Sequence, residues 1–208
     1  MAKWSALRTW WVRDNELGLK AFTGGHQAGT SLASLKVLMA LSLLADFHLR
    51  TARNSVSDLE KITGLSRPMV LAGITDLESK GIISVGRSSY VNEYLLKESA
   101  SDVKWAKLPY ERLRKRLPDI SNRGAVVLAA LKIYILLASY RPNASVSLSF
   151  SHQKIRDLTG IQTKHVRPAL DVLLNHTLIR LTVDDSNVSS ENYKGKHNVY
   201  TLLGLTAS

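Results

Sequence analysis

The run DLEKITGLSRPMVLAGITDLESKGII, residues 58–83, decides the fold of this chain. Apolar residues recur in it at spacings of three and four on both sides of Gly64, which is typical of two amphipathic helices. Glycine adopts at low cost the left-handed conformation that ends a helix, so Gly64 predicts the turn between them. The run leads into the strand-like Ile82-Ile83-Ser84-Val85, and it therefore predicts helix, turn, helix and strand in succession.

The same pattern returns 96 residues later. Leu35-Lys36-Val37 matches Leu131-Lys132-Ile133, and the register continues without a gap through Gly64 and Gly160. Only apolar and turn positions repeat, because burial constrains the core while outward positions are free to differ. The chain is therefore predicted to contain two copies of one unit.

Helical spacing and capping residues predict the elements of each unit. The central helices are expected over residues 32–50 and 124–140, where apolar residues follow the helical period. Ser57-Asp58-Leu59-Glu60 is a predicted capping box for the next helix of the first copy, and Ser151 is the predicted cap in the second. A hairpin should end each unit, so the predicted fold class is α+β, mostly helical with small β-hairpins.

The boundaries of the two copies follow from a linker and a second match. Trp11-Val12-Arg13 matches Trp105-Ala106-Lys107 at an offset of 94, which predicts a similar opening segment for each copy. Ser99-Ala100-Ser101-Asp102 is the predicted linker. We place unit one at residues 1–98 and unit two at residues 103–208.

The charge balance predicts a polyanionic partner. The 208 residues include 28 Lys plus Arg and 17 Asp plus Glu, for a formal charge of +11. Nucleic acid is the leading candidate for such a partner. The absence of cysteine from the sequence excludes disulfides, thiolate zinc sites and a cysteine nucleophile, and a reducing cytoplasm is the expected location.

Residues 58–83 resemble the core of bacterial winged helix-turn-helix proteins. Unit two is similar but looser, with Thr177 in place of the glycine that ends the third helix. The lead-in Trp105–Pro109, followed by Ala130–Tyr134, is similar to the opening of winged-helix domains in plasmid replication initiators. The resemblance implies two tandem winged helices that bind duplex DNA.

In this motif the third helix lies in the major groove and the hairpin, or wing, contacts phosphates or the minor groove. The resemblance assigns to DNA in unit one the residues Ser66, Arg67, Met69, Leu71 and, on the wing, Arg87. In unit two it assigns Gln162, Thr163, Lys164, His165, Arg167 and, on the longer wing, Lys194 and Lys196.

Unit two has the better set of base-reading side chains. Gln pairs with adenine and Lys or Arg with guanine, whereas Met69 and Leu71 offer only apolar contact. The alternative for those two residues is packing against the other unit or a second chain. Residues 101–208 carry 16 basic and 8 acidic side chains, a net of +8, against 12 and 9, a net of +3, in residues 1–100. A basic cluster at residues 112–116 is expected on phosphates or on a solvated helix face.

Enzymatic functions are disfavoured by the motifs. Gly24-Gly25-His26 lacks the Gly-Lys-Ser/Thr that completes a phosphate-binding loop. The six histidines have no metal-ligand spacing, and we expect no metal or other cofactor. The apolar run Ala125–Ala138 contains Lys132 and is shorter than the roughly 20 residues of a membrane span, so no membrane partner is expected.

The leading hypothesis is a sequence-specific double-stranded DNA-binding protein, either a transcriptional regulator or a plasmid or phage replication initiator. The alternative is a protein-interaction or dimerisation module built from winged helices, with incidental basic charge. Binding of structured RNA is a third possibility. Assembly on DNA as a homodimer or a higher oligomer is left open.

Overall fold

The computed structural model of this protein is α+β, and it describes residues 4–13, 18–87, 90–99, 104–184 and 197–206. Unit one contains β1 (Ser5–Arg8), α1 (Ala28–Leu44), β2 (Thr51–Asn54), α2 (Val56–Thr63), α3 (Arg67–Ser79), β3 (Ile83–Gly86) and β4 (Asn92–Leu96). Short 3-10 helices at Trp10–Arg13, Leu19–Ala21 and Gly25–Gln27 precede α1. Unit two contains β5 (Trp105–Leu108), α4 (Tyr110–Arg116), α5 (Ala125–Tyr140), β6 (Ser147–Ser149), α6 (His152–Thr159), α7 (Thr163–Asn175), β7 (Ile179–Asp184) and β8 (His197–Leu202).

The structure repeats with the period found in the sequence. Helices α2 and α6 begin and end 96 residues apart, as do α3 and α7. Each unit has one three-stranded antiparallel sheet, ordered β2-β4-β3 in unit one and β6-β8-β7 in unit two. The two units therefore share one order of helices and one sheet topology.

The turns that define the repeat have the predicted backbone. Gly64 ends α2 with φ +67°, and Gly160 ends α6 with φ +68°. At the end of the third helix, Gly81 has φ +68° and its counterpart Thr177 has φ +52°. A threonine in this conformation is strained, because its Cβ approaches the backbone. The turn of unit two therefore needs support from neighbouring residues.

The capping box of α2 is shifted from the predicted position. The N-cap is Ser55, whose Oγ accepts from the Asp58 backbone N–H at 3.1 Å, while the Asp58 carboxylate accepts from the Ser55 N–H at 3.0 Å. The prediction at Ser57–Glu60 was wrong, because Asp58 performs at the third helical position the role assigned to Glu60. The predicted cap of α6 is confirmed: Ser151 Oγ accepts from the Lys154 N–H at 3.1 Å.

Two further predictions were wrong. Helix α1 ends at Leu44, not at residue 50, because residues 51–54 form β2 and pair with β4. Residues 10–13 form a 3-10 helix, whereas residues 105–108 form a strand, so the two segments matched at an offset of 94 differ in structure. The pairing partner of β5 is β1, in antiparallel register.

The two units pack against each other through a continuous hydrophobic core. Strand β1 of unit one pairs with β5 of unit two, and α1 packs against α5. The Trp4 ring stacks on the Trp105 ring with 5.1 Å between centroids. Burial of these apolar surfaces against each other supplies most of the free energy that holds the units together.

Two equivalent buried lysines also connect the units. Lys36 of α1 donates to the Ile120 carbonyl and to Asn122 Oδ1, both at 2.6 Å, in the segment that precedes α5. Lys132 of α5 donates to the Phe22 carbonyl at 3.0 Å, in the segment that precedes α1. Each central helix is thereby bonded to the lead-in of the other unit.

Within the part of the chain that the structure describes, one helical stretch, Gly25–Leu44, is long and apolar enough by composition to cross a membrane. However, 72% of its most apolar window is buried inside the protein. It packs against α3 and α5.

Candidate nucleic-acid interface

The start of α7 brings the predicted residues of unit two onto one exposed helix end. Gln162 occupies the N-cap with extended backbone, φ −67° and ψ 145°. Gln162, Thr163, Lys164 and Arg167 are exposed, and His165 is half-buried. The opposite face of the helix is anchored in the core by buried Val166, Ala169, Leu170 and Leu173. The polar side chains therefore project from a rigid support, as groove contacts require.

Arg156 of α6 also belongs to this surface, although no motif in the sequence predicted it. Its guanidinium donates to the Thr163 hydroxyl and to Gln153 Oε1, so it links α6 to the start of α7. In unit one the equivalent position, 96 residues earlier, is Glu60. The reversal of charge between these two repeat positions was the available signal, and it adds a cation beside the exposed end of α7.

The two candidate arginines of unit one are paired with carboxylates. Arg67 Nη1 lies 3.8 Å from Glu60 Oε2, and the Arg67 side chain is 59% exposed. Arg87 donates to both carboxylate oxygens of Glu78, at 3.2 and 2.5 Å. The hydrogen bond from Arg87 lowers the pKa of Glu78, and the same bond raises the pKa of Arg87. Such exposed pairs add little stability, but they reduce the positive potential that unit one presents.

The apolar candidates of unit one differ from each other. Met69 is half-buried and packs on the core, with its Cε near Gly29 at the start of α1. It therefore packs within its own unit, an outcome that neither the DNA hypothesis nor the interface alternative included. Leu71 is 44% exposed. Its side chain is available for contact with DNA or with a protein partner.

The basic cluster on α4 is divided between one residue engaged with another element and residues that stay at the surface. Arg112 donates to the carbonyl of Thr177 at 2.8 Å and to its hydroxyl at 3.2 Å. These bonds hold the strained left-handed turn of unit two. Arg114 donates to the Tyr110 hydroxyl at 2.6 Å. Arg112 is therefore a structural residue, whereas Lys115 is exposed.

Ser66, the remaining candidate of unit one, is exposed at the N-cap of α3. The wing candidates of unit two, Lys194 and Lys196, lie outside the described residues. Within the described part of the chain, no group of three or more His, Asp or Glu residues is arranged to hold a metal ion.

A scan against protein-family models finds no match to this chain, and a search of the curated proteins finds none either. The assignment of a function therefore depends on the sequence pattern and on the geometry described above.

Proposed function

We propose that the chain is a sequence-specific double-stranded DNA-binding protein built from two tandem winged helices, with α3 and α7 as the major-groove helices. The observation that carries the proposal is the exposed start of α7. It presents Gln162, Lys164 and Arg167 together. Among the described residues, no carboxylate lies within ion-pair distance of Lys164 or Arg167.

The chemistry of this helix end suits base edges flanked by phosphates. The Arg167 guanidinium can donate two hydrogen bonds to guanine O6 and N7, and the Gln162 amide can pair with adenine. Lys164 supplies a point charge for guanine or for phosphate. The uncapped amides at the start of α7 and the guanidinium of Arg156 add positive potential beside the backbone.

Two winged helices on one rigid chain would occupy neighbouring stretches of duplex. The bound protein would then block or recruit other proteins, as a transcriptional regulator or a plasmid or phage replication initiator does. Selection of bound fragments from the source genome separates these two roles. An array of repeated sites indicates replication, and a single promoter site indicates transcription.

A matched pair of variants tests the proposal. Arg167→Ala should weaken binding to the selected duplex roughly 5- to 150-fold and relax preference at one base pair, because a bidentate guanine contact is worth about 1 to 3 kcal/mol. Leu71→Ala, at the equivalent position of unit one, should change affinity little. Fluorescence anisotropy at a fixed salt concentration measures both, with structured RNA as competitor.

The proposal fails if Arg167→Ala and Lys164→Ala both leave affinity and sequence preference unchanged. It also fails if RNA competes better than the selected duplex, which would favour an RNA-binding function.

One observation favours a second function, a protein-interaction surface on unit one. Among the described residues, most exposed large apolar side chains belong to unit one, namely Phe47, Leu49, Leu71, Tyr90 and Val91. Such residues mark an interface where they form a contiguous patch. Sedimentation of Leu49→Glu and Leu71→Glu tests this role. Dissociation of an oligomer without loss of DNA affinity per chain would make unit one an assembly domain.

A further inference from the structure

A cavity of about 180 Å³ lies between the lead-in of unit one and the start of α7. It is smaller than the roughly 300 to 1,000 Å³ of pockets for drug-sized ligands, so it suits a small molecule. Its lining combines apolar and polar side chains, among them Phe22, Leu128, Lys132, Ile161, Gln162 and His165.

Among these side chains, Lys132 is the evidence that the cavity binds a ligand. It is 5% exposed, and among the described residues its ammonium donates one hydrogen bond, to the Phe22 carbonyl at 3.0 Å. Lys132 lines the cavity, and two of its three donors have no protein acceptor among the described residues. Burial lowers the pKa of Lys132 to about 8. A buried ammonium is costly unless further acceptors satisfy it.

The equivalent lysine of unit one, Lys36, has more hydrogen-bond acceptors than Lys132. Lys36 is fully buried and has three acceptors, which are the Thr63 carbonyl, the Ile120 carbonyl and Asn122 Oδ1, at 2.6 to 2.9 Å. The lead-in of unit two supplies two of them. Among the described residues, the lead-in of unit one supplies only the Phe22 carbonyl to Lys132. The repeat has thus kept the lysine in both units and left a cavity beside one of them.

The start of α5 adds positive potential to the same cavity. Ala125, the first residue of α5, lines it, and the N-cap Gly124 supplies no side-chain cap. The first amides of a helix and its macrodipole both favour a negative group. Because Phe22, Leu128 and Ile161 form an apolar wall, the cavity also favours a carbon body over a fully hydrated inorganic ion.

We propose that this cavity binds a small organic carboxylate. The carboxylate oxygens accept hydrogen bonds from Lys132 Nζ, and the apolar body packs on Phe22, Leu128 and Ile161. Gln162 and His165 lie at the side of the cavity formed by the start of α7. A bound ligand therefore changes the surroundings of two residues at the proposed DNA-contacting end. This coupling, unlike the ligand site itself, rests on the proposed function.

The test measures ligand binding to the full chain without DNA, so its failure is distinguishable from failure of the DNA proposal. The probes are acetate, butyrate and benzoate, compared with butyramide, benzamide and inorganic phosphate. Thermal unfolding and calorimetric titration follow binding. A hundredfold excess over Kd should raise Tm by about 5 to 10 °C for the best carboxylate. Addition of that carboxylate to the DNA complex then tests the coupling.

Two variants locate the site. Lys132→Met should abolish the Tm shift, and so should Ala125→Leu, which fills the cavity mouth while Lys132 stays in place. Ala144→Leu is the matched control at an exposed turn position outside the cavity, and it should retain the shift. If Lys132→Met does not fold, Ala125→Leu against Ala144→Leu still decides the outcome.

The proposal is overturned if no carboxylate binds at about 50 mM, which is 50-fold above the upper end of typical KM values, about 1 mM. It is equally overturned if the amides or phosphate match the best carboxylate, or if Ala125→Leu binds it unchanged. In the first case, ordered water alone satisfies the Lys132 ammonium.

Discussion

Unit one and unit two have equivalent helices, and they differ in what those helices expose. Leu71 of α3 corresponds to Arg167 of α7, and Glu60 of α2 corresponds to Arg156 of α6. The backbone places each pair alike, 96 residues apart. Duplication of a fold therefore duplicates the positions from which side chains project, while the surface chemistry of each copy remains free to change.

The two units also differ at a buried position, where the third helix of each unit packs against its central helix. Gly73 of α3 lies against the backbone of α1, where an added Cβ would be 2.8 Å from the Ala33 carbonyl carbon. Its counterpart in unit two is the fully buried Ala169. Helices α1 and α3 therefore approach each other closely enough to exclude a methyl group at this point, whereas α5 and α7 accommodate one.

The largest expected effect concerns the two turn glycines. Gly64→Ala should cost about 3 kcal/mol, because the left-handed φ disfavours alanine and the new Cβ would meet the Pro118 carbonyl oxygen at 2.5 Å. Gly160→Ala should cost about 1 to 2 kcal/mol, since its Cβ meets only the flexible Lys20 side chain at 3.4 Å. Urea unfolding measures both variants, and equal costs would contradict the difference in packing.

Exchange of the glycine and alanine at the helix contacts, Gly73 and Ala169, should have the next largest effect on the free energy of unfolding. Gly73→Ala should cost about 2 kcal/mol, because α1 must move to admit a methyl group against its backbone. The reverse change in the other unit, Ala169→Gly, should cost about 1 kcal/mol through backbone entropy and lost contact. A stabilising Gly73→Ala would show that the two units pack their helices at the same distance.

The two equivalent buried lysines, Lys36 and Lys132, predict that the free energy of unfolding rises between pH 7.5 and 9.5. Burial lowers the pKa of Lys36 and of Lys132 to about 8 from 10.5, so the unfolded chain holds more protons in this window and stability increases with pH. Each lysine should contribute about 2 kcal/mol. Burial raises the pKa of Tyr200 to about 12, which acts in the opposite direction only above about pH 10.

Guanidinium unfolding at the two pH values measures this rise. Lys36→Met and Lys132→Met should each remove about half of it. A rise of the same size in both variants would place the effect on other groups.

The smallest expected effect is a change of charge that makes unit one resemble unit two. Glu60→Arg releases Arg67 and introduces the cation present at Arg156, so DNA affinity should increase a few-fold and the salt slope should steepen by about 1. Glu111→Arg on α4 makes the same change of charge on an exposed residue and is the control. If both variants increase DNA affinity equally, the effect comes from net charge alone. Unit one would then not approach DNA closely at residue 60.

Much of the candidate site could be predicted because its determinants are local. Helical period and the turn glycines Gly64 and Gly160 predicted a helix on each side of each turn, and α2, α3, α6 and α7 lie there. The roles of Met69 and Arg112 could not be predicted in this way. The motif places Met69 at a surface position, and only the packing of α1 beside α3 shows that it is partly buried. Arg112 finds its acceptor 65 residues away, on Thr177.

The sequence by itself determined the repeat, the order of its helices and the greater basic charge of unit two, because spacing, turn residues and charge are properties of neighbouring positions. The tertiary structure alone decided that β1 pairs with β5, and that Lys36 and Lys132 each bond to the lead-in of the other unit. The lysine contacts join residues 84 and 110 positions apart. Such contacts form only when the whole core closes, and no local pattern in the chain encodes which acceptor a buried ammonium will meet.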